Sequence, residues 1–154
     1  MKLNKGIFIF SLIAISCNTN IVYEDYKTFE NQIWKADSSV VFNHSFSDTI
    51  CNYQFVIKVR HTTDYEFQNL FLFIKTEETD TLELMLANKE GAWLGRGIGD
   101  VREMEFLYRK NKKIPKKGDF IFEIEQAMRY GKREKIQSLR NIQAIGLSIY
   151  KEDE

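Results

Sequence analysis

The chain has 154 residues, 44% of them apolar, which is the length of one ordinary domain and excludes a disordered chain. Basic and acidic residues are equal in number, 22 each, which excludes a general polyanion binder, so no nucleic-acid partner is expected. Twelve phenylalanines, 7 tyrosines and one proline, Pro115, favour strands over helices.

The chain opens with Lys2 and Lys5, followed by an apolar run at 7–15 that only Ser11 interrupts. The run is far short of the ~20 residues a spanning helix needs. A basic start, a short apolar centre and small residues near its end are the layout of a secretory signal. Ala14-Ile15-Ser16-Cys17 resembles a bacterial lipobox, in which the chain is cut just before a cysteine whose thiol is lipidated. The expected organisation is a signal peptide at 1–16, a lipidated Cys17 with a short tether at 17–20, and a folded domain at 21–154. Ala14 stands where the lipobox usually has Leu, which keeps open ordinary cleavage with a Cys17–Cys51 disulfide. Three extended tether residues reach only about 10 Å, which sets the domain close against the membrane.

From Ile21 onward the rhythm is period two. Strands are predicted near 21–27 and at 40–46, 53–60, 69–75, 81–86, 103–108, 120–126 and 144–149. The segment 69–75 is apolar on both faces and reads as a central strand. Ile136, Leu139 and Ile142 recur at helical spacing and predict one or two helical turns within 129–141. The fold class is therefore all-β: a two-sheet antiparallel sandwich of about seven to eight strands with at most one short helix. Its strand order stays open between a jelly roll and an immunoglobulin-like Greek key.

No residue pattern points to catalysis, a metal or a cofactor. The two histidines, His44 and His61, belong to no HxxxH or CxxC element. His44 shares a strand face and reads as structural. His61 precedes Asp64, but no G-x-S-x-G element offers a nucleophile. Glu77, Glu78 and Asp80 read as a solvated acidic turn. Gly95, Gly97 and Gly99 alternate without a following βαβ unit, so they mark a loop whose backbone approaches something closely. Trp93, in the same loop, reads either as a plug for the open end of the sandwich or as a platform for a sugar ring. Residues 109–117 hold six basic residues in nine and read as a hairpin-like loop, either simply solvated or facing anionic lipid or an acidic partner.

Three stretches together carry a family resemblance. RHTTDYEFQNLFLFI, at 60–74, resembles the Arg-His…Tyr…Asn-Leu core of the GldH family of gliding motility lipoproteins. TDTLELMLANKEGAWLGRGIGD, at 79–100, resembles that family's Asp-Thr…Leu-Ala…Gly-x-Trp-x-Gly-x-Gly segment. EIEQAMR, at 123–129, resembles its Gln-x-Met-Arg stretch, and Ile145-Gly146-Leu147 its closing strand. The resemblance implies a Bacteroidota envelope lipoprotein that acts in gliding beside the machinery linked to type IX secretion. Its partners would be other gliding lipoproteins and, through the acyl chains (palmitate among them) on Cys17, the outer membrane. It brings no enzymatic activity, catalytic residue or cofactor. The shared residues are Arg60, His61, Tyr65, Asn69, Asp80, Trp93, Gly95, Gly97 and Arg129. Of these, Trp93, Arg60, His61, Tyr65 and Asn69 are the candidate contacts with a partner or a glycan. Asn18-Thr19-Asn20 holds no acidic cluster, which favours the periplasmic face. The alternative is a glycan- or peptidoglycan-binding jelly-roll module.

Overall fold

Alternation along the fourth strand sets the plan of the molecule. Phe55, Ile57 and Val59 point one way and are at most 1% exposed, while Gln54, Lys58 and Arg60 point the other way. Each fully buried side chain of this kind contributes about 1.5–3 kcal/mol relative to exposure. In the computed structural model the described residues are 20–131 and 134–152. The predicted signal segment and Cys17 lie outside them.

The elements in chain order are β1 (Ile21–Thr28), a 3-10 turn (Glu30–Gln32), β2 (Ile33–Lys35), β3 (Val40–Phe46) and β4 (Asn52–Thr62). They continue with β5 (Asn69–Lys75), β6 (Thr79–Met85), β7 (Val101–Lys113) and β8 (Gly118–Gln126). Last come β9 (Arg129–Tyr130), β10 (Glu134–Lys135), β11 (Ser138–Arg140) and β12 (Ile142–Lys151). Two antiparallel four-stranded sheets face each other, ordered β1-β12-β4-β7 and β3-β8-β5-β6. If only the eight long strands are counted, these orders read 1-8-3-6 and 2-7-4-5, the arrangement of a jelly roll. This decides the strand order that alternation alone leaves open. β5 lies inside its sheet, as its two apolar faces require.

Aromatic rings fill one end of the interior. Phe46 packs on Tyr53, Phe55 and Phe120, and Phe122 packs on Phe55 and Phe120, with centroids 4.8–6.3 Å apart. His44 lies half-buried between Tyr23 and Phe46, a structural position. Cys51 is a buried free thiol.

Two expectations are corrected. Residues 129–141 form no helix among the described residues; they hold the short strands β9, β10 and β11. Leu139 and Ile142 are buried, at 1% and 0%, because β11 pairs with β2 and β12 enters the large sheet. Asn141 turns the chain between them at φ 67°, so an apolar spacing of three arises without helix. The basic stretch is also less of a loop than predicted. β7 runs to Lys113 and β8 starts at Gly118, which leaves only 114–117 as the turn.

The strands give the sandwich two ends. The lower end carries Asn20, the turns β3–β4, β5–β6 and β7–β8, and Glu152. The upper end carries the β4–β5 loop, the glycine-rich loop between β6 and β7, and the ribbon of β2 with β11.

Candidate functional site

The glycine-rich loop is built by backbone pairing. Leu94 N–H donates to the Leu86 carbonyl at 2.9 Å, continuing from β6, and Ala87 bridges Trp93. Arg96 and Glu103 then exchange N–H···O bonds of 3.0 and 2.7 Å, which fastens the loop to the edge of β7. The loop thus ties the edge of one sheet to the edge of the other. Gly95, at φ 84°, has no room for a side chain, because a Cβ there would lie 2.3 Å from the Glu103 carbonyl oxygen. A Cβ at Gly97 would lie 1.9 Å from the Val101 carbonyl oxygen. Gly95 and Gly97 make the close backbone approach that the alternating glycines predict; Gly99, at φ 65°, does not, since a Cβ there would meet nothing within 4 Å.

Beneath the loop lies an aromatic cluster. His61 is 0% exposed and packs on Trp93 at 4.8 Å and Tyr65 at 5.8 Å. Trp93 is half-buried, 6.4 Å from Tyr65, with its indole against the core. The Tyr65 hydroxyl donates to the Asn69 carbonyl at 3.0 Å, and the Asn69 amide donates to Glu83 at 2.6 Å. The structure therefore brings together four of the five predicted contact residues: His61, Tyr65, Trp93 and Asn69. Arg60 projects from the opposite face of β4, where it bonds Glu103 at 2.6 and 3.0 Å and lies 4.9 Å over the Tyr26 ring.

His61 is placed as an uncharged core group. Its Nδ1 donates to the Thr62 carbonyl at 2.8 Å. Its Nε2 and the Thr62 hydroxyl are buried without a hydrogen-bond partner among the described residues. Burial pushes the His61 pKa below its ordinary value, the nearby Arg102 adds to this, and the bond to Thr62 opposes it. His44 is pushed down by burial as well. The unfolded chain therefore takes up histidine protons near pH 6.5, before the folded chain does. The stability that neutral histidines confer is complete above that pH and is lost as pH falls below it. Urea unfolding midpoints should agree above pH 7 and drop measurably between pH 6.5 and 5. A midpoint unchanged from pH 7.5 to 5.5 would contradict the buried, neutral His61.

Charge pairs that the sequence did not reveal lie on the outer face of the β4 sheet. Lys58 is only 6% exposed there; its ammonium bonds Glu24 at 2.6 Å and faces Glu105 at 3.6 Å. Burial alone favours neutral Lys58, but the bond to Glu24 together with the fields of Tyr26, Tyr150 and Glu24 outweighs it and the pKa is raised. Glu24, bonded also by Ser148 at 2.9 Å, is held below its usual value. The Tyr26 ring covers Gly146, where a Cβ would lie 2.7 Å from it. Only the tertiary pairing of β1 with β12 shows why position 146 is glycine. Gln126 was equally hidden: it is 1% exposed, bonds the Ile136 carbonyl and the Met128 N–H, and holds the arch between β8 and β10. Asp80 was read as part of a solvated turn, but it lies in β6 and accepts bonds from Tyr108 and Arg109.

The Arg-His pair, the Trp-x-Gly-x-Gly loop and the Gln-x-Met-Arg arch thus lie in one jelly roll, in the order the resemblance requires. The sequence profile described as GldH lipoprotein matches residues 21–149, nearly all of this domain. The chain belongs to the GldH lipoprotein family. The chain is 37% identical to the gliding motility lipoprotein GldH homolog of Christiangramia forsetii, over 96% of its own length and 94% of that relative's. It is 32% identical to the gliding motility lipoprotein GldH of Flavobacterium johnsoniae, over 97% of its own length and 98% of that relative's. No solved structure is a significant match to it. Among the described residues, no cluster of three or more His, Cys, Asp or Glu side chains is arranged to hold a metal, and no helix is long and apolar enough to cross a membrane.

Proposed function

We propose that this chain is a non-catalytic envelope lipoprotein that acts in gliding motility by holding another envelope component of the gliding machinery at its upper end. Signal cleavage after Ser16 and acylation of Cys17, palmitate included, would anchor it in the outer membrane, facing the periplasm. The names of both relatives and the lipobox-like Cys17 support the motility and envelope parts of this reading. The observation that carries the contact surface is Ile98. It is 92% exposed, within a loop that backbone bridges fix to both sheets. An apolar side chain on a loop that is already held in place loses little order when it is buried in a protein interface. Trp93, Arg60, His61, Tyr65 and Asn69 then serve chiefly to hold the loop and its surroundings, and the Trp93 rim borders the contact.

The test combines two variants in the native cell. Cys17→Ala should stay uncut or leave the membrane and should lose the lipid label that the wild type carries. Ile98→Asp should keep anchor and fold but lose the specific envelope crosslinks of the wild type, together with its contribution to spreading on agar. Identical crosslinks and spreading in Ile98→Asp and wild type would refute the contact surface. Identical processing of Cys17→Ala and wild type would refute the anchor.

A further inference from the structure

The lower end of the sandwich combines the exit of the tether with unpaired positive charge. Asn20 is fixed there, its carbonyl accepting the Lys151 N–H at 2.7 Å, and Ile21 pairs with Tyr150. On the same end Asn52 pairs with Lys113 and Tyr53 with Lys112. Lys110, Lys112, Lys113, Lys116 and Lys117 are all exposed, and none makes an ion pair among the described residues. Other basic groups nearby are already neutralised: Arg109 by Asp80 at 2.6 Å and Lys151 by Asp48 at 3.0 Å. The acids of this end that make no ion pair among the described residues are Glu77 and Glu78 on the β5–β6 turn of the other sheet, Asp119, the second residue of β8, and Glu152, whose carboxylate accepts the Asn111 N–H at 3.1 Å beside Lys110 and Lys112. Ile50, 79% exposed on the β3–β4 turn, and exposed Pro115 add apolar tips at the same level.

We infer that this end is a docking surface for an anionic lipid bilayer, with the lysines of the β7–β8 hairpin set against the headgroups. The inference rests on the reading of Cys17 as the anchor. Cys17 is three residues before Asn20, a contour of about 10 Å. An anchor of that length brings the lysines to within roughly a Debye length, ~8 Å, of the surface, where their attraction is little screened. Lys110, Lys112 and Lys113 stand on a paired strand, so the charges are held in place before contact and little ordering is lost on docking. Ile50 and Pro115 would sit among the headgroups, as the apolar tips of peripheral proteins do. Docking in this way fixes orientation. The glycine loop beside Glu103 then stands ten strand residues away from Lys113, roughly 30 Å above the bilayer and turned toward a partner.

The test uses the chain from residue 17 onward with Cys17→Ser, which keeps every described residue and removes only the acyl chains. At 0.1 M salt it should sediment with phosphatidylglycerol-containing vesicles and not with pure phosphatidylcholine vesicles, and higher salt should release it. Each lysine near such a surface strengthens binding about fivefold, so Lys112→Gln with Lys113→Gln should weaken it about 25-fold. No sedimentation with anionic vesicles, equal binding to both lipids, or an unchanged double variant would each overturn the docking surface. Retention on heparin without vesicle binding would overturn it too, in favour of a soluble polyanion. The anchor is judged separately, by palmitate labelling of the wild type in cells. Vesicle binding with no label fails the anchor alone; label with no vesicle binding fails the docking surface alone.

Discussion

Gly95→Ala is expected to detach the glycine loop from β7 and to cost about 2–5 kcal/mol. Two effects combine. The residue sits at φ 84°, where an L side chain is strained, and the new Cβ would meet the Glu103 carbonyl oxygen at 2.3 Å. The obstacle is backbone, which cannot rotate aside, so the exchange of bonds between Arg96 and Glu103 must open. Trp93 then loses its seat on His61 and Tyr65, and the core end beneath it takes in water. Tryptophan emission should shift to the red while Trp34 stays buried, and the Arg96 and Glu103 amides should exchange with solvent far faster. Gly99→Ala is the control, since φ there is also positive, at 65°, but a Cβ meets nothing within 4 Å. If the two alanine variants behave alike, close approach is not what the alternating glycines serve. Crosslinking of Gly95→Ala should fall with that of Ile98→Asp, because the contact surface depends on the loop being held.

Trp34→Ala should cost about 3–5 kcal/mol and lower Tm by roughly 10–20 °C. Trp34 is 0% exposed, stacks on Phe29 at 4.8 Å, and its indole N–H donates to the Ser38 carbonyl at 2.7 Å. It lies on β2 opposite Leu139 of β11, and this ribbon holds it in the core. The truncation therefore leaves a cavity and an unpaired carbonyl together. Trp34→Phe should recover most of the packing but not the hydrogen bond, and should cost about 1–2 kcal/mol. Ile98→Ala, on the exposed loop, should stay within about 0.5 kcal/mol of wild type. Thermal unfolding of the three variants checks the series, and a Trp34→Ala loss no larger than that of Ile98→Ala would exclude Trp34 from the core.

Most long strands were legible because they alternate apolar and polar residues over several positions, as in Val40 to Phe46, whose bounds match the prediction, and β5 because it is an apolar run on both faces. β2, β9, β10 and β11 were not, because two or three residues are too few to show a period. Their apolar members Leu139 and Ile142 even mimicked a helix. The site was partly legible. Trp93 and the glycines announce a tight loop by residue type alone, whereas the Lys58–Glu24 pair joins residues 34 positions apart and leaves no local sign.

The sequence by itself determined the all-β class, a count of seven to eight long strands, the central place of 69–75 and the family, because alternation and ordered motifs are local properties of the chain. Only the tertiary structure decided the jelly-roll order, the gathering of His61, Tyr65 and Trp93 under one loop, and the exile of Arg60 to the outer face. It also set Asn20 and the unpaired lysines at one end and Ile98 at the other. These follow from which strand edges pair, and pairing is chosen by the joint burial of side chains distant in sequence, which no single segment encodes.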